Sequence, residues 1–295
     1  KNMKRILLTI ISLFVIANMA QAGGEHKGMG FNPAKPIMTK MGDGVYHYFQ
    51  FFYSSLVVVT DEGVIVTDPS GVKRAADMRA EIRKITNKKV AVVIYSQDHY
   101  DHARGGQIFK DEGAKFIIHE NGVENLARDK YLKNEVVMPD ITYSDKYRVE
   151  LGGKKVDLLY YGKNDGDAVS VVYMPDEKLV LAVDWHLQGY VNEPSRLNVH
   201  DYLGVLNTLK RVTSELKIEK VISGHMAKSS PEQLMEDLAF NQDLFDAVWN
   251  GMKAGKSVEE LKKTVKLPKY KHWMGYEKNL AGHVERMAYS IWHGR

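Results

Sequence analysis

Residues 96–106 read Ser-Gln-Asp-His-Tyr-Asp-His-Ala-Arg-Gly-Gly and follow directly on the apolar run Val90–Tyr95. A short apolar run bounded by turn residues reads as a buried strand, so the polar loop begins at that strand's C-terminal end. Within the loop His99, Asp101 and His102 lie close enough in sequence for a tight turn to aim all three side chains at one small volume. Imidazole nitrogens and carboxylate oxygens suit zinc, iron or manganese. The plainer alternative is a loop that caps the next helix, with Asp101 as the cap and the histidines in solvent.

Strand-like and helical patterns alternate along the chain. Leu56–Thr60 and Val64–Thr67 flank the turn residues Asp61-Glu62-Gly63 and read as a hairpin. Lys73–Thr86 has helical spacing through Ala76, Arg79, Ile82 and Arg83. Phe116–His119, Val156–Tyr160, Ser170–Met174, Leu179–Val183 and Lys220–Ser223 are further strands, and Gly122–Leu132 and His200–Leu216 are expected helices. The mixing predicts a layered α/β architecture with helices covering the sheet faces. From Pro231 the pattern changes: Glu232–Lys253, Val258–Val265 and Tyr276–His293 all favour helix. Residues 231–295 are therefore expected to form a helical appendage on a main domain of residues 23–230.

Lys1, Lys4 and Arg5 precede the apolar run Ile6–Ala17, and Ala20-Gln21-Ala22 offers a small-x-small cleavage site. Residues 1–22 are read as a secretory signal peptide, because the run falls short of the ~20 residues of a spanning helix. A periplasmic or secreted protein with no stable membrane anchor after cleavage is the expectation. Those three cations account for most of the formal net charge of +4, so the charge gives no case for nucleic-acid binding. The chain has no cysteine, which excludes disulfides and thiolate ligands and leaves any metal to nitrogen and oxygen donors.

Three more polar loops follow strand runs. Gly162-Lys163-Asn164-Asp165-Gly166-Asp167 is one, Asp184 closes Leu179–Val183, and Gly224-His225 closes Lys220–Ser223. Loops gathered at one sheet edge are where α/β folds build their sites.

This order of loops resembles the metallo-β-lactamase superfamily, whose signature is His-x-His-x-Asp-His before Gly-Gly, then Gly-x-x-His, a strand-closing Asp and a late Gly-His. Here the signature falls on Gln97–His102, Gly162–Asp165, Asp184 and Gly224-His225, over roughly Met41–Lys228, with Asp68 matching the family's strand-ending aspartate. The resemblance implies a four-layer αβ/βα sandwich and a metal-dependent hydrolase. It implies one metal site from Gln97, His99 and Asp165, a second from Asp101, His102 and His225, and Asp184 between the two.

Two positions depart from the signature: Gln97 and Asp165 stand where the family has histidines, and both fall on site one. Glutamine is a weak neutral oxygen ligand and aspartate a hard anionic one. Site two is expected to take Zn²⁺, while site one is expected to prefer Mn²⁺, Fe²⁺ or Mg²⁺ or to stay empty. A glutamine at the first position also occurs in some subclass B3 β-lactamases, but Asp165 weakens that narrower comparison.

The function expected is an exported hydrolase in which a metal-bound hydroxide attacks an ester, lactone or amide-like bond of a small molecule. Asp101 and Asp184 would orient the water, and Asp165 would act as general acid or base if site one were empty. Two alternatives stand beside it: a catalytically impaired binding or accessory protein on the same fold, and a mononuclear-iron redox enzyme. His186, His200 and Asn164 are further candidates for reaching the site. The aromatic stretch Tyr46–Tyr53 is either a substrate wall or hairpin packing. Leu267–Tyr270 with Trp273 and Tyr276 is read as ordinary packing, or as shaping a pocket or the surface of a homodimer.

Overall fold

The computed structural model describes residues 34–294 apart from Gln188, Asn198 and Ala227. The expected signal segment lies outside the described residues. Seven strands form the first sheet: β1 (Ile37–Gly42), β2 (Val45–Gln50), β3 (Tyr53–Val59), β4 (Val64–Thr67), β5 (Val90–Ile94), β6 (Lys115–His119) and β7 (Ile141–Tyr143), in that spatial order. Helix α1 (Val72–Arg83) links β4 to β5, and the short helices α2 (Tyr100–Ala103), α3 (Gln107–Lys110) and α4 (Val123–Ala127) flank β6.

The second sheet holds β8 (Lys146–Leu151), β9 (Lys154–Leu159), β10 (Val171–Met174), β11 (Leu179–Ala182) and β12 (Lys220–Ser223), ordered β12-β11-β10-β9-β8. Helix α5 (Tyr202–Glu215) precedes β12, and α6 (Pro231–Lys253), α7 (Val258–Thr264) and α8 (Tyr276–His293) follow it.

The layers follow from which apolar faces meet. Val45, Leu56, Ile65, Ile94 and Ile117 from the first sheet pack against Val156, Leu158, Val172, Leu181 and Ile222 from the second. The outer face of the first sheet is covered by Ala75, Met78 and Ile82 of α1 with Phe109 and Leu126. Val205, Leu209 and Val212 of α5 cover the second. The molecule is thus an αβ/βα sandwich, and α6, α7 and α8 share a further core around Leu244, Val248, Leu261 and Val284 with Val191, Leu197 and Tyr202.

Some local expectations are corrected. The buried face of α1 carries Arg74, Ala75, Met78, Arg79 and Ile82, so Ala76 points outward. The Gly122–Leu132 helix is interrupted: α4 is flanked by two 3₁₀ turns, Glu120–Gly122 and Arg128–Tyr131. The second of these is organised by Asp129, whose carboxylate accepts bonds from Arg104 and from the backbone N–H groups of Glu135 and Val136. Strands β1, β7 and β8 add to those read from sequence, and Tyr46–Gln50 lies within β2.

Candidate metal centre

Parallel pairing decides where the polar loops go. Strands β4 and β5 run parallel, as do β11 and β12, so the residues after Thr67, Ile94, Ala182 and Ser223 emerge at one edge of the sandwich. Strand β9 is antiparallel to β10 and β10 to β11, which sends the loop with Asp165 to the same edge. Two backbone bonds stitch the sheets together there, Ser54 N–H to the Gly224 carbonyl at 2.8 Å and Ser170 N–H to the Ser96 carbonyl at 2.8 Å.

At this edge the carboxylates and imidazoles gather in two groups, Asp101 with His102 and His225, and His99 with Asp165 and Asp184. In each group the donor atoms lie within 4.8 Å of one another. Asp184 lies between the groups: its Oδ1 is 2.8 Å from His225 Nε2, and its Oδ2 is 3.4 Å from His102 Nε2 and 4.0 Å from His99 Nδ1. Gln97 reaches the centre through its amide, whose Nε2 donates to Asp184 Oδ2 at 2.6 Å.

The ring of His225 is oriented from behind. Its Nδ1 lies 2.9 Å from the Phe52 carbonyl, which can only accept, so the neutral ring carries its proton on Nδ1 and turns a lone pair on Nε2 toward Asp184. His102 is fully buried with Nδ1 facing Asp68 Oδ2 at 3.6 Å. Asp68 is in turn fixed by the Ser96 N–H at 2.8 Å and hydroxyl at 2.7 Å.

Burial works against the Asp184 carboxylate, but the His225 and His102 imidazoles outweigh it and hold its pKa well below the usual range. Burial likewise opposes a charged His102, yet Asp184 and Asp101 raise its pKa well above the ordinary histidine value. His225 is raised in the same way against its burial, chiefly by Asp184. The centre is therefore short of positive charge.

Its hydrogen bonding is also incomplete. Among the described residues, the buried side-chain polar atoms without a hydrogen-bond partner are Arg79 Nη1, Trp185 Nε1, Gln97 Oε1, both ring nitrogens of His102, and Asp184 Oδ1. Buried polar atoms are normally satisfied, so a concentration of orphans on nitrogen and oxygen donors is what a cation-binding cluster presents. The residues present fit a divalent ion.

The backbone at this edge is strained. Phe51, Phe52, Asp68, Ser70 and Asp184 have φ of 53°, 66°, 41°, 55° and 65°, a left-handed region that non-glycine residues seldom enter. Arg74 sits beneath them. It is 2% exposed, and its guanidinium bonds the carbonyls of Tyr53 at 2.9 Å and Asp68 at 3.1 Å and the Ser55 hydroxyl at 2.9 Å. Nothing in the sequence pattern distinguishes it from the other basic residues of α1.

Phe51 and Phe52 are the central residues of the two-residue turn between the paired Gln50 and Tyr53. Positive φ at both positions is the geometry that Asn-Gly fits best. The double replacement Phe51→Asn, Phe52→Gly is expected to raise stability in urea unfolding by about 1 kcal/mol, part of the strain relieved being offset by lost ring packing.

Tyr53 opens β3 beside the centre. Its hydroxyl donates to Asp101 Oδ2 at 3.2 Å, and its ring meets those of His102 and His225 edge-on at 5.4 and 4.9 Å. Burial, followed by the Asp101 carboxylate, pushes the phenol pKa upward, so it stays protonated. Tyr53 and Asp101 also line a cavity of about 220 Å³, together with Tyr100, Arg104, Lys133 and Glu135. The aromatic stretch thus divides: Tyr48 is fully buried in the core, while Tyr53 faces the centre.

The other candidates separate clearly. His200 Nδ1 lies 2.6 Å from Asp165 Oδ1. Asn164 is buried, with its amide directed at the Val169 carbonyl and the Thr208 hydroxyl, so it locks the turn. His186 is held on both ring nitrogens, by Asp237 and Ser229, each at 2.9 Å. Leu267, Tyr270, Trp273 and Tyr276 are buried in the C-terminal helical core.

A family model described as the metallo-beta-lactamase superfamily matches residues 49–225. Among curated proteins the chain is 22% identical over 235 residues to the 2,4-dinitroanisole O-demethylase subunit alpha of Nocardioides sp. (strain JS1661), covering 78% of this chain and 68% of that one. It is 21% identical over 293 residues to the linear primary-alkylsulfatase of Pseudomonas sp. (strain ATCC 19151), covering 80% of this chain and 53% of that protein. The chain thus spans about half the length of the alkylsulfatase. Among solved structures, a metallo-beta-lactamase from Pontibacter korlensis superimposes with a TM-score of 0.62 at 18% identity, covering 70% of this chain and 99% of that one.

Proposed function

Because the chain belongs to the metallo-beta-lactamase superfamily, we propose that it is a metal-dependent hydrolase acting on an ester, lactone or amide-like bond of a small molecule, exported to the periplasm or beyond. The observation that carries this reading is the pair of donor groups, Asp101–His102–His225 and His99–Asp165–Asp184, opening on a cavity through Asp101. Asp101, His102 and His225 would hold one ion, with Zn²⁺ the natural occupant of a two-imidazole set. His99, Asp165 and the Gln97 amide oxygen would hold the other, and Asp184 would serve both. Divalent ions bound there supply Lewis-acid polarisation of a substrate oxygen and activation of water near neutral pH.

The protein's own groups set the geometry around that chemistry. The Asp101 side chain is about half exposed, so it is the carboxylate that meets solvent and can orient a water and accept its proton. Tyr53 donates to one Asp101 oxygen and, being protonated, presents a hydrogen-bond donor at the cavity wall. Arg104, which also lines the cavity, is stacked over Tyr100 at 4.5 Å and tied to Asp129, which fixes its position.

The reading is tested by elemental analysis and a panel of esters, lactones, β-lactams, alkyl sulfates and aryl ethers, the last two because of the relatives above. Removing metal with a chelator is expected to abolish turnover, and Zn²⁺ or Mn²⁺ to restore it. A chain that binds no metal and turns over nothing in the panel would overturn it.

A further inference from the structure

We propose that His200 is a positioning residue for site one, holding one oxygen of Asp165 so that the other is presented to His99 and Asp184, and that helix α8 keeps His200 in place. The proposal rests on the metal reading above.

A free carboxylate can chelate, bridge or swing away. Here one oxygen is taken: Asp165 Oδ1 lies 2.6 Å from His200 Nδ1, while Oδ2 lies 3.9 Å from His99 Nδ1. Both side chains are nearly buried, at 2% exposure for His200 and 10% for Asp165. Asp165 is thereby reduced to one donor atom of fixed direction, the kind of donor a ring nitrogen would be, but anionic and hard.

The two loops are locked to each other through the backbone. Asp201 N–H donates to the Asn164 carbonyl at 2.6 Å, and the Asp201 side chain caps α5 on Gly204 N–H at 2.8 Å. A Cβ on Gly204 would lie 1.9 Å from the Lys163 carbonyl oxygen, so only glycine permits this approach. Behind His200, the ring of Tyr202 packs edge-on at 4.8 Å. His283 of α8 donates from Nε2 to the Asn192 carbonyl at 2.8 Å, which leaves its Nδ1 to accept from the Tyr202 hydroxyl at 3.2 Å. A strut therefore runs from α8 through Tyr202 and His200 to Asp165.

The test uses the full chain stripped of metal and titrated with Zn²⁺ and, separately, Mn²⁺, with binding followed by calorimetry and elemental analysis. The wild-type chain is expected to take up two ions. His200→Ala is expected to weaken one of them by about 10- to 100-fold and leave the other unchanged, as loss of an outer partner of a ligand does. His200→Asn, whose side-chain nitrogen occupies the place of Nδ1, is expected to recover most of that loss, whereas His200→Gln is not. In an Asp165→Ala background, His200→Ala is expected to add nothing. Unchanged affinity in His200→Ala, equal affinities of the Asn and Gln variants, or additive losses in the double variant would overturn the proposal. A wild-type chain binding a single ion would overturn it while leaving the hydrolase reading intact; one binding none would overturn that reading itself. If His200→Ala does not fold, the Asn and Gln comparison decides alone.

Discussion

Asp184→Ala is expected to empty both donor groups at once. Its carboxylate lies within 4.0 Å of a ring nitrogen of His99, His102 and His225, and it accepts the Gln97 amide. Among the described residues, Asp184 is the carboxylate that lies within 4.0 Å of imidazoles of both groups. Removing it takes away the shared anionic donor and leaves the Gln97 amide nitrogen without a partner. Turnover is expected to fall by more than the roughly 10- to 100-fold of an outer-shell change, and metal content to fall toward zero in elemental analysis. A variant that kept one ion at wild-type affinity would show that one group stands without Asp184. Asp101→Ala is the natural comparison, since the Asp101 carboxylate approaches an imidazole of one group alone, His102 at 3.8 Å.

Arg74→Met is expected to have the largest effect on stability. Methionine fills much of the volume but offers nothing to the carbonyls of Tyr53, Asp68 and Pro69 or to the Ser55 hydroxyl. Each buried acceptor left unpaired costs ~1–3 kcal/mol, and shared compensation brings the expected loss to about 4 kcal/mol in urea unfolding. Burial pulls the guanidinium pKa down to about 10, so it is still charged at neutral pH, and Arg74→Lys restores charge without the fork of donors. The lysine variant is expected to recover only a small part of the loss. Equal stability of all three would mean that the strained turns hold themselves.

What the sequence revealed follows from which forces leave a local pattern. Buried parallel strands such as β5 and β11 are continuous apolar runs, and the polar residues after them stand out by contrast. Strand β8 was missed because it lies at a sheet edge with mostly exposed or half-buried side chains, so little apolar alternation survives. Of the α1 positions Ala76, Arg79, Ile82 and Arg83 that share a helical spacing, Arg79 and Ile82 are buried and Ala76 and Arg83 are exposed, because the buried face is centred on Ala75 and Met78 and takes in Arg74. The candidate donors were legible as residue types after strands. His200 stands out as a candidate as well, but the pairings do not: the Phe52 carbonyl behind His225 and His200 behind Asp165 are separated by 173 and 35 residues from what they touch. Such pairings depend on sheet topology and leave no periodic trace.

The donors also come from opposite halves of the sandwich. His99, Asp101 and His102 follow β5 of the seven-stranded sheet, whereas Asp165, Asp184 and His225 follow strands of the five-stranded sheet. Any ion held by either group is therefore a rivet across the seam between sheets, and separating the halves must first eject it. Resistance to unfolding then becomes a function of free metal, growing logarithmically with its concentration over the dissociation constant. The metal-free form is then the more easily unfolded one, and the unfolding temperature is expected to climb with each tenfold rise in free metal.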